Sequence, residues 1–149
     1  MGEVRVGIIG VGNCASSLVQ GVNFYRDAKA SDEVPGLMHV DLGGYHVSDI
    51  EFTAAFDIDS QKVGRDLGDA IFAGPNNTAK FADVSDIGVK VSRGMTHDGI
   101  GSYMADSIKK AEGSTDDIVS ILKDTGTDVV INYLPVGSEE ATKWYVEQI

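Results

Sequence analysis

Four short runs of apolar and β-branched residues punctuate the chain, at 4–9, 52–58, 89–92 and 128–134. The first and last, V-R-V-G-I-I and D-V-V-I-N-Y-L, are almost continuously apolar, the pattern of strands covered on both faces of a parallel sheet. Between them the spacing of apolar positions turns helical, over 14–29, 60–72, 115–125 and from Ser138 onward. Strands alternating with helices predict an α/β fold with right-handed crossovers. The expected strand order is 3-2-1-4, with helices on both faces. The core is expected from Val6, Ile8, Ile9, Phe56 and Val129 on strands and from Val19, Leu67, Ile71, Leu122 and Trp144 on helices.

Two stretches break the alternation. Residues 30–50 carry Pro-Gly and Gly-Gly turn signals and only short apolar pieces, so they form an insertion between the first helix and the second strand. Residues 94–103 (G-M-T-H-D-G-I-G-S-Y) are glycine-rich and follow a strand directly, where long loops are usually functional. At the other end, Ser138 is placed to cap a helix with Glu139 and Glu140 in its first turn, where negative charge suits the helix dipole. That helix reaches Ile149 with no stop signal, so the chain is expected to be a single domain over 1–149, cut inside a helix.

Composition narrows the partners. The 149 residues carry a net charge of −11, which repels nucleic acid and anionic membrane surfaces and leaves any phosphate to be held by backbone amides or a few placed cations. Glycine is in excess, 18 residues or about 12% against a usual ~7%, which implies several sites of positive φ or close approach. Cys14 is the lone cysteine, so no internal disulfide forms and a reducing cytoplasm is the expected compartment. No apolar run nears the ~20 residues of a membrane span, and the first residues enter a strand pattern without a signal-peptide signature.

The sharpest chemical signal is Gly10-Val11-Gly12-Asn13-Cys14-Ala15, directly after the first strand. It fits G-x-G-x-x-[G/A]: Gly10 permits a tight turn, Gly12 lets a pyrophosphate approach the backbone, and Ala15 lets the helix pack closely on the strand. The amides opening that helix then face the phosphates. In Phe56-Asp57-Ile58-Asp59, Asp57 stands at the end of the second strand. There it either accepts from the adenosine ribose hydroxyls, selecting NAD over NADP, or is a plain helix-start acid. Asp59 reads as the start or cap of the next helix.

A third segment, N-Y-L-P-V-G-S from Asn132, ends the fourth strand, where Leu134, Pro135 and Ser138 either line a cofactor cleft or only shape a turn. Arg93 and the loop after it lie at the same end of the sheet. The pair His97-Asp98 is a weaker candidate, since three histidines without ligand spacing argue against a metal cage. Cys14 is expected to be a small packed residue beneath the cofactor. Together these signals define a Rossmann-like, NAD(P)-binding, doubly wound sheet.

Several longer runs resemble the bacterial branch of the myo-inositol-1-phosphate synthase family. These are V-G-I-I-G-V-G-N-C-A-S-S-L-V from Val6, V-P-G-L-M-H-V from Val34, F-D-I-D at Phe56, D-A-I-F-A-G-P-N-N-T at Asp69 and Y-L-P-V-G-S-E-E-A at Tyr133. The resemblance covers essentially the whole chain and accounts for the insertion. It implies an NAD-dependent inositol-3-phosphate synthase acting on D-glucose 6-phosphate by oxidation at C5, enolisation, intramolecular aldol closure and reduction. It also implies a homotetramer.

By position, Gly10, Gly12, Asn13 and Cys14 would hold the pyrophosphate and Asp57 the ribose, while Leu134, Pro135 and Ser138 would line the cofactor cleft. Val11, inside the glycine turn, and Arg93, at the same end of the sheet, join the expected cofactor-binding set from their own positions. The family's catalytic lysines, substrate-phosphate site and tetramer-forming sheet lie beyond the position of Ile149. Lys62 and the other lysines here therefore take none of those roles, no catalytic residue is assigned, and no metal is expected. A generic NAD-dependent dehydrogenase or reductase domain and a non-catalytic nucleotide-binding module are the alternative readings.

Overall fold

A computed structural model describes residues 2–101 and 104–149. Met1 and the last two residues of the glycine-rich loop, Ser102 and Tyr103, lie outside the described residues. The chain runs β1 (Val4–Ile9), α1 (Asn13–Phe24), β2 (Asp41–Leu42), β3 (Tyr45–His46), a 3-10 turn (Val47–Asp49), β4 (Ile50–Asp57), α2 (Leu67–Ala70), β5 (Val91–Arg93), α3 (Ile118–Asp124), β6 (Val129–Asn132) and α4 (Glu139–Gln148). The main sheet is parallel, in the order β5-β4-β1-β6, which is the expected 3-2-1-4.

Each face of that sheet has its own core. On one side Val6, Ile8 and Phe52 meet Ala15, Val19 and Val22 of α1 and the segment Leu67, Ala70 and Ile71. On the other, Ile9, Ala54 and Phe56 meet Ile118 and Leu122 of α3 and Tyr145 of α4. Val129 was expected in the core but is 47% exposed, because β6 is the sheet's edge strand. Trp144 packs only partly buried against the second core, and Tyr145 is the buried aromatic of α4.

The insertion folds into a small hairpin. Gly43 and Gly44, both at positive φ (62° and 87°), form the two-residue turn joining β2 to β3, as a type I′ hairpin requires.

The expected helix over 60–72 shrinks to one turn. Residues 64–67 instead bond to 89–91: Gly64 N donates to Val91 O, Val91 N to Arg65 O and Leu67 N to Val89 O, at 2.7–2.8 Å. Backbone groups committed to that ladder are unavailable for i→i−4 bonds. Gly64 sits at φ 88°, a helix-breaking conformation, and a Cβ on Gly68 would stand 2.7 Å from Ser85 O. Asp66 caps what helix remains, accepting from Gly68 N, Ile87 N and Gly88 N.

The non-helical stretch 76–82 is held to α1 by side chains. Gln20, fully buried, accepts from Phe81 N (2.8 Å) and Ala82 N (3.2 Å) and donates to Ala79 O and Ser16 Oγ. A leucine there keeps the volume but strips both amides of their acceptor. Gln20→Leu is therefore expected to lower stability by about 2 kcal/mol in urea unfolding, whereas an exposed helix position such as Ser17 changes it by under about 0.5 kcal/mol.

Candidate functional site

At the carboxyl ends of the strands lies a cleft of about 610 Å³. Its floor is built from the ends of β1, β4 and β6: Gly10, Asp57 and Tyr133 all line it. A second hollow, about 730 Å³, opens at the amino ends of the same strands between Val4, Ile50 and the β2–β3 hairpin, and no expected site residue lines it.

The glycine turn is held from both sides. Gly10 N donates to Phe56 O (2.8 Å) and Val11 N to the Asp57 carboxylate (2.7 Å), so the turn leans on the end of β4. Gly10 has φ 88°, and a Cβ on it would come within 2.9 Å of Tyr133 O, so glycine is required by both conformation and space. Gly12 differs. Its φ is −94°, and a Cβ there would meet nothing within 4 Å, so the missing side chain leaves room above the start of α1 that the fold itself does not use.

Asp57 accepts three backbone N–H groups, from Val11 (2.7 Å), Ile58 (2.7 Å) and Asp59 (2.9 Å), which leaves its carboxylate with spare acceptor capacity at the cleft wall. The structure brings Gly10, Gly12, Asn13, Cys14, Asp57, Leu134, Pro135 and Ser138 onto this one cleft. Val11 contributes its backbone while its side chain is fully buried beneath. Arg93 stands outside the cleft lining. Its guanidinium is spent on Gly94 O, on Ala111 O (3.2 Å) and on Thr96 Oγ1 (2.8 Å), which ties the loop after β5 together.

Ser138 occupies the N-cap position of α4, but its hydroxyl makes no cap bond. The Asp98 carboxylate does that work from the glycine-rich loop, accepting from Glu140 N (2.8 Å) and Ala141 N (3.0 Å). A Cβ on Gly99 would collide with Ser138 Oγ, so the loop lies flush against the helix start. His97 is exposed, and the neighbouring Asp98 carboxylate is engaged by the start of α4.

Asn76, Asn77, Thr78 and Tyr145 were not among the site residues expected from sequence. Asn77 N (2.8 Å) and Thr78 N (3.1 Å) donate to the side chain of the expected Asn13, and Asn76 Nδ2 donates to Val11 O (3.1 Å), strapping the segment after Pro75 onto the glycine turn. The run of hydrogen-bonding residues after a Gly-Pro turn was the available signal. Tyr145 reaches from α4 to take the Met95 amide (2.9 Å), and burial pushes its hydroxyl above the ordinary tyrosine value, so it stays protonated near neutral pH. Among the described residues, no group of three or more His, Cys, Asp or Glu is placed to hold a metal, and no helix is long and apolar enough to cross a membrane.

A parallel sheet of this order, with helices on both faces and its cleft at the point where the strand order reverses, is a Rossmann-like α/β fold. Curated relatives carry the comparison to a family. The chain is 58% identical over 146 residues to the inositol-3-phosphate synthase of Mycolicibacterium smegmatis, covering 98% of this chain and 40% of that protein. It is 59% identical over 145 residues to the inositol-3-phosphate synthase of Mycobacterium tuberculosis and 54% identical over 144 to that of Corynebacterium glutamicum, each match again covering 97% of this chain and 40% of the relative.

Among solved structures, the crystal structure of Ari2 superimposes with a TM-score of 0.78 at 32% identity, over 98% of this chain and 42% of its own. A myo-inositol-1-phosphate synthase-related protein from Thermotoga maritima shares the fold, with a TM-score of 0.61 at 22% identity over 89% of this chain and 34% of its own. No family model matches the chain. The chain is thus homologous to the N-terminal part of bacterial inositol-3-phosphate synthases and spans about two fifths of their length, as the resemblance of its motifs implied.

The hydrogen bonds from Glu140 N and Ala141 N hold the Asp98 carboxyl below the usual carboxylate range. A group whose pKa is depressed on folding contributes stability above its unfolded value and loses it as pH falls through the folded one. The loop-to-α4 tie is therefore expected to persist at neutral and mildly acidic pH. It should release only at a pH below the titration of an ordinary aspartate, read as a joint shift of the Glu140 and Ala141 amide resonances in an NMR pH series.

Proposed function

We propose that this chain is the NAD-binding part of an inositol-3-phosphate synthase. The observation that carries the reading is the open space over Gly12, beside an acid whose carboxylate already braces the glycine turn. Backbone amides at the start of α1 would take the pyrophosphate, which suits a chain of net charge −11 with few cations to spare. Asp57 would accept from the adenosine ribose, and its negative charge would turn away a 2′-phosphate. Leu134, Pro135 and Ser138 would border the nicotinamide half from the end of β6. Bound there, NAD would supply reversible hydride transfer, while this chain's residues bind it, orient it and exclude water.

In the full reaction D-glucose 6-phosphate would be the substrate, acted on by a homotetramer in the reducing cytoplasm that suits a free Cys14. The support is the names of relatives 54–59% identical over nearly this whole chain. Catalytic groups are assigned to none of the residues present.

Calorimetric titration of the 149-residue chain is expected to show saturable NAD binding and NADP binding weaker by about tenfold or more. Equal affinities would overturn the role of Asp57. Gly12→Val provides the sharper test, because the added side chain enters space that the fold leaves free. The variant should lose no more than about 1 kcal/mol of stability, from the poorer N-cap. Its NAD affinity should fall at least about tenfold.

A further inference from the structure

Besides its bonds to the end of β4, the glycine turn is gripped at Val11 O, and that grip begins at a buried charge. Lys62 is 4% exposed, and among the described residues it takes part in no ion pair. Its Nζ donates to Asn76 Oδ1 at 3.0 Å. An ammonium only donates and a backbone carbonyl only accepts, so this contact fixes which way the Asn76 amide faces. Nδ2 is turned to the other side, where its two N–H groups donate to Val11 O (3.1 Å) and Ile71 O (3.0 Å).

The Val11–Gly12 peptide is trans, with its C=O and N–H on opposite sides. Holding Val11 O therefore sets the direction of Gly12 N–H, and among the described residues nothing accepts from that N–H. The amides of Asn13 and Cys14 follow at the start of α1, where a helix leaves its first N–H groups without partners. Glycines on both sides of Val11 give this peptide wide freedom to rotate. A hold on its carbonyl from outside the turn removes that freedom before any ligand arrives, which lowers the ordering cost of binding.

We propose that Lys62 and Asn76 are positioning residues for a diphosphate at the glycine turn. The buried ammonium holds the Asn76 amide, the amide holds Val11 O, and the turn thereby presents Gly12 N–H in a fixed direction. The effect passes through the backbone of the turn, with no contact from Lys62 to the phosphates. This inference rests on the reading of the cleft as an NAD site.

The test compares ADP with adenosine, which share base and ribose but not the diphosphate, by NMR titration of the 149-residue chain. Asn76→Leu is expected to lower the ratio of ADP to adenosine affinity at least about fivefold, and Lys62→Met at least about threefold. A merely structural role would weaken both ligands alike and leave the ratio unmoved. Lys62→Arg still donates to Asn76 Oδ1 and should stay within about twofold of wild type. Adding Lys62→Met to Asn76→Leu should change the ratio no further, because Lys62 acts through Asn76. The Val11 carbonyl carbon resonance should move upfield in both single variants, as its hydrogen bond weakens.

A wild-type ratio in an Asn76→Leu protein that melts like wild type would overturn the proposal. So would a Lys62→Met effect that persists in the Asn76→Leu background, since the charge would then act on the phosphates directly. Should Asn76→Leu fail to fold with Lys62 left unpaired, the double variant, which removes both polar ends, takes its place, and a wild-type ratio there counts against the proposal equally. If wild type binds neither ADP nor NAD, the cofactor reading itself fails and this inference goes with it.

Discussion

The ligand end of this fold depends on the carboxylate of Asp57. It accepts backbone N–H groups from two strand ends at once, Val11 after β1 and Ile58 and Asp59 after β4. Parallel pairing of β1 with β4 brings those ends together, but pairing alone leaves the glycine turn free to swing. The charge-assisted bond at 2.7 Å removes that freedom and sets the direction in which α1 starts. Gly12 then opens onto the cleft and Gly10 is pressed against Tyr133. One acid thus shapes the turn and forms part of the cleft wall.

Around that brace the site is assembled from loops, and polar side chains hold the loops in place. Asn13 and Asn76 bind the segment after Pro75 to the glycine turn, Gln20 anchors its continuation to α1, and Arg93 and Asp98 gather the loop after β5 and fasten it to α4. Each of these bonds satisfies backbone groups that have no helix or sheet partner, as irregular segments inside a packed domain require. The result is a cleft whose walls are defined without long helices.

Much of this architecture was legible beforehand. The near-continuous apolar runs of β1 and β6 announced a doubly covered sheet, and the alternation with helical spacing led to the observed strand order. The glycine turn and the acid ending β4 were visible because their spacing reflects local backbone needs. The expected helix over 60–72 was misread for a physical reason: its apolar spacing is helical, but its backbone is captured by residues 89–91, distant in sequence. Ser138 has the right chemistry for a cap, yet Asp98 reaches the amides of Glu140 and Ala141 from 42 and 43 residues away with a full charge. Val129 has core composition on an edge strand.

By itself the sequence determined the elements that short-range physics dictates: apolar period, the turn that only glycine allows at Gly10, the small Ala15 against the sheet, and motifs specific enough to point to a family. Tertiary structure decided which polar groups face one another. It spent Arg93 on a loop and gave the cap of α4 to Asp98. It also buried Asp59 with one carboxylate oxygen lacking a donor, and gave the buried Lys62 to Asn76. Hydrogen bonds between segments far apart in the chain depend on distances of a few tenths of an ångström, and no local pattern encodes those.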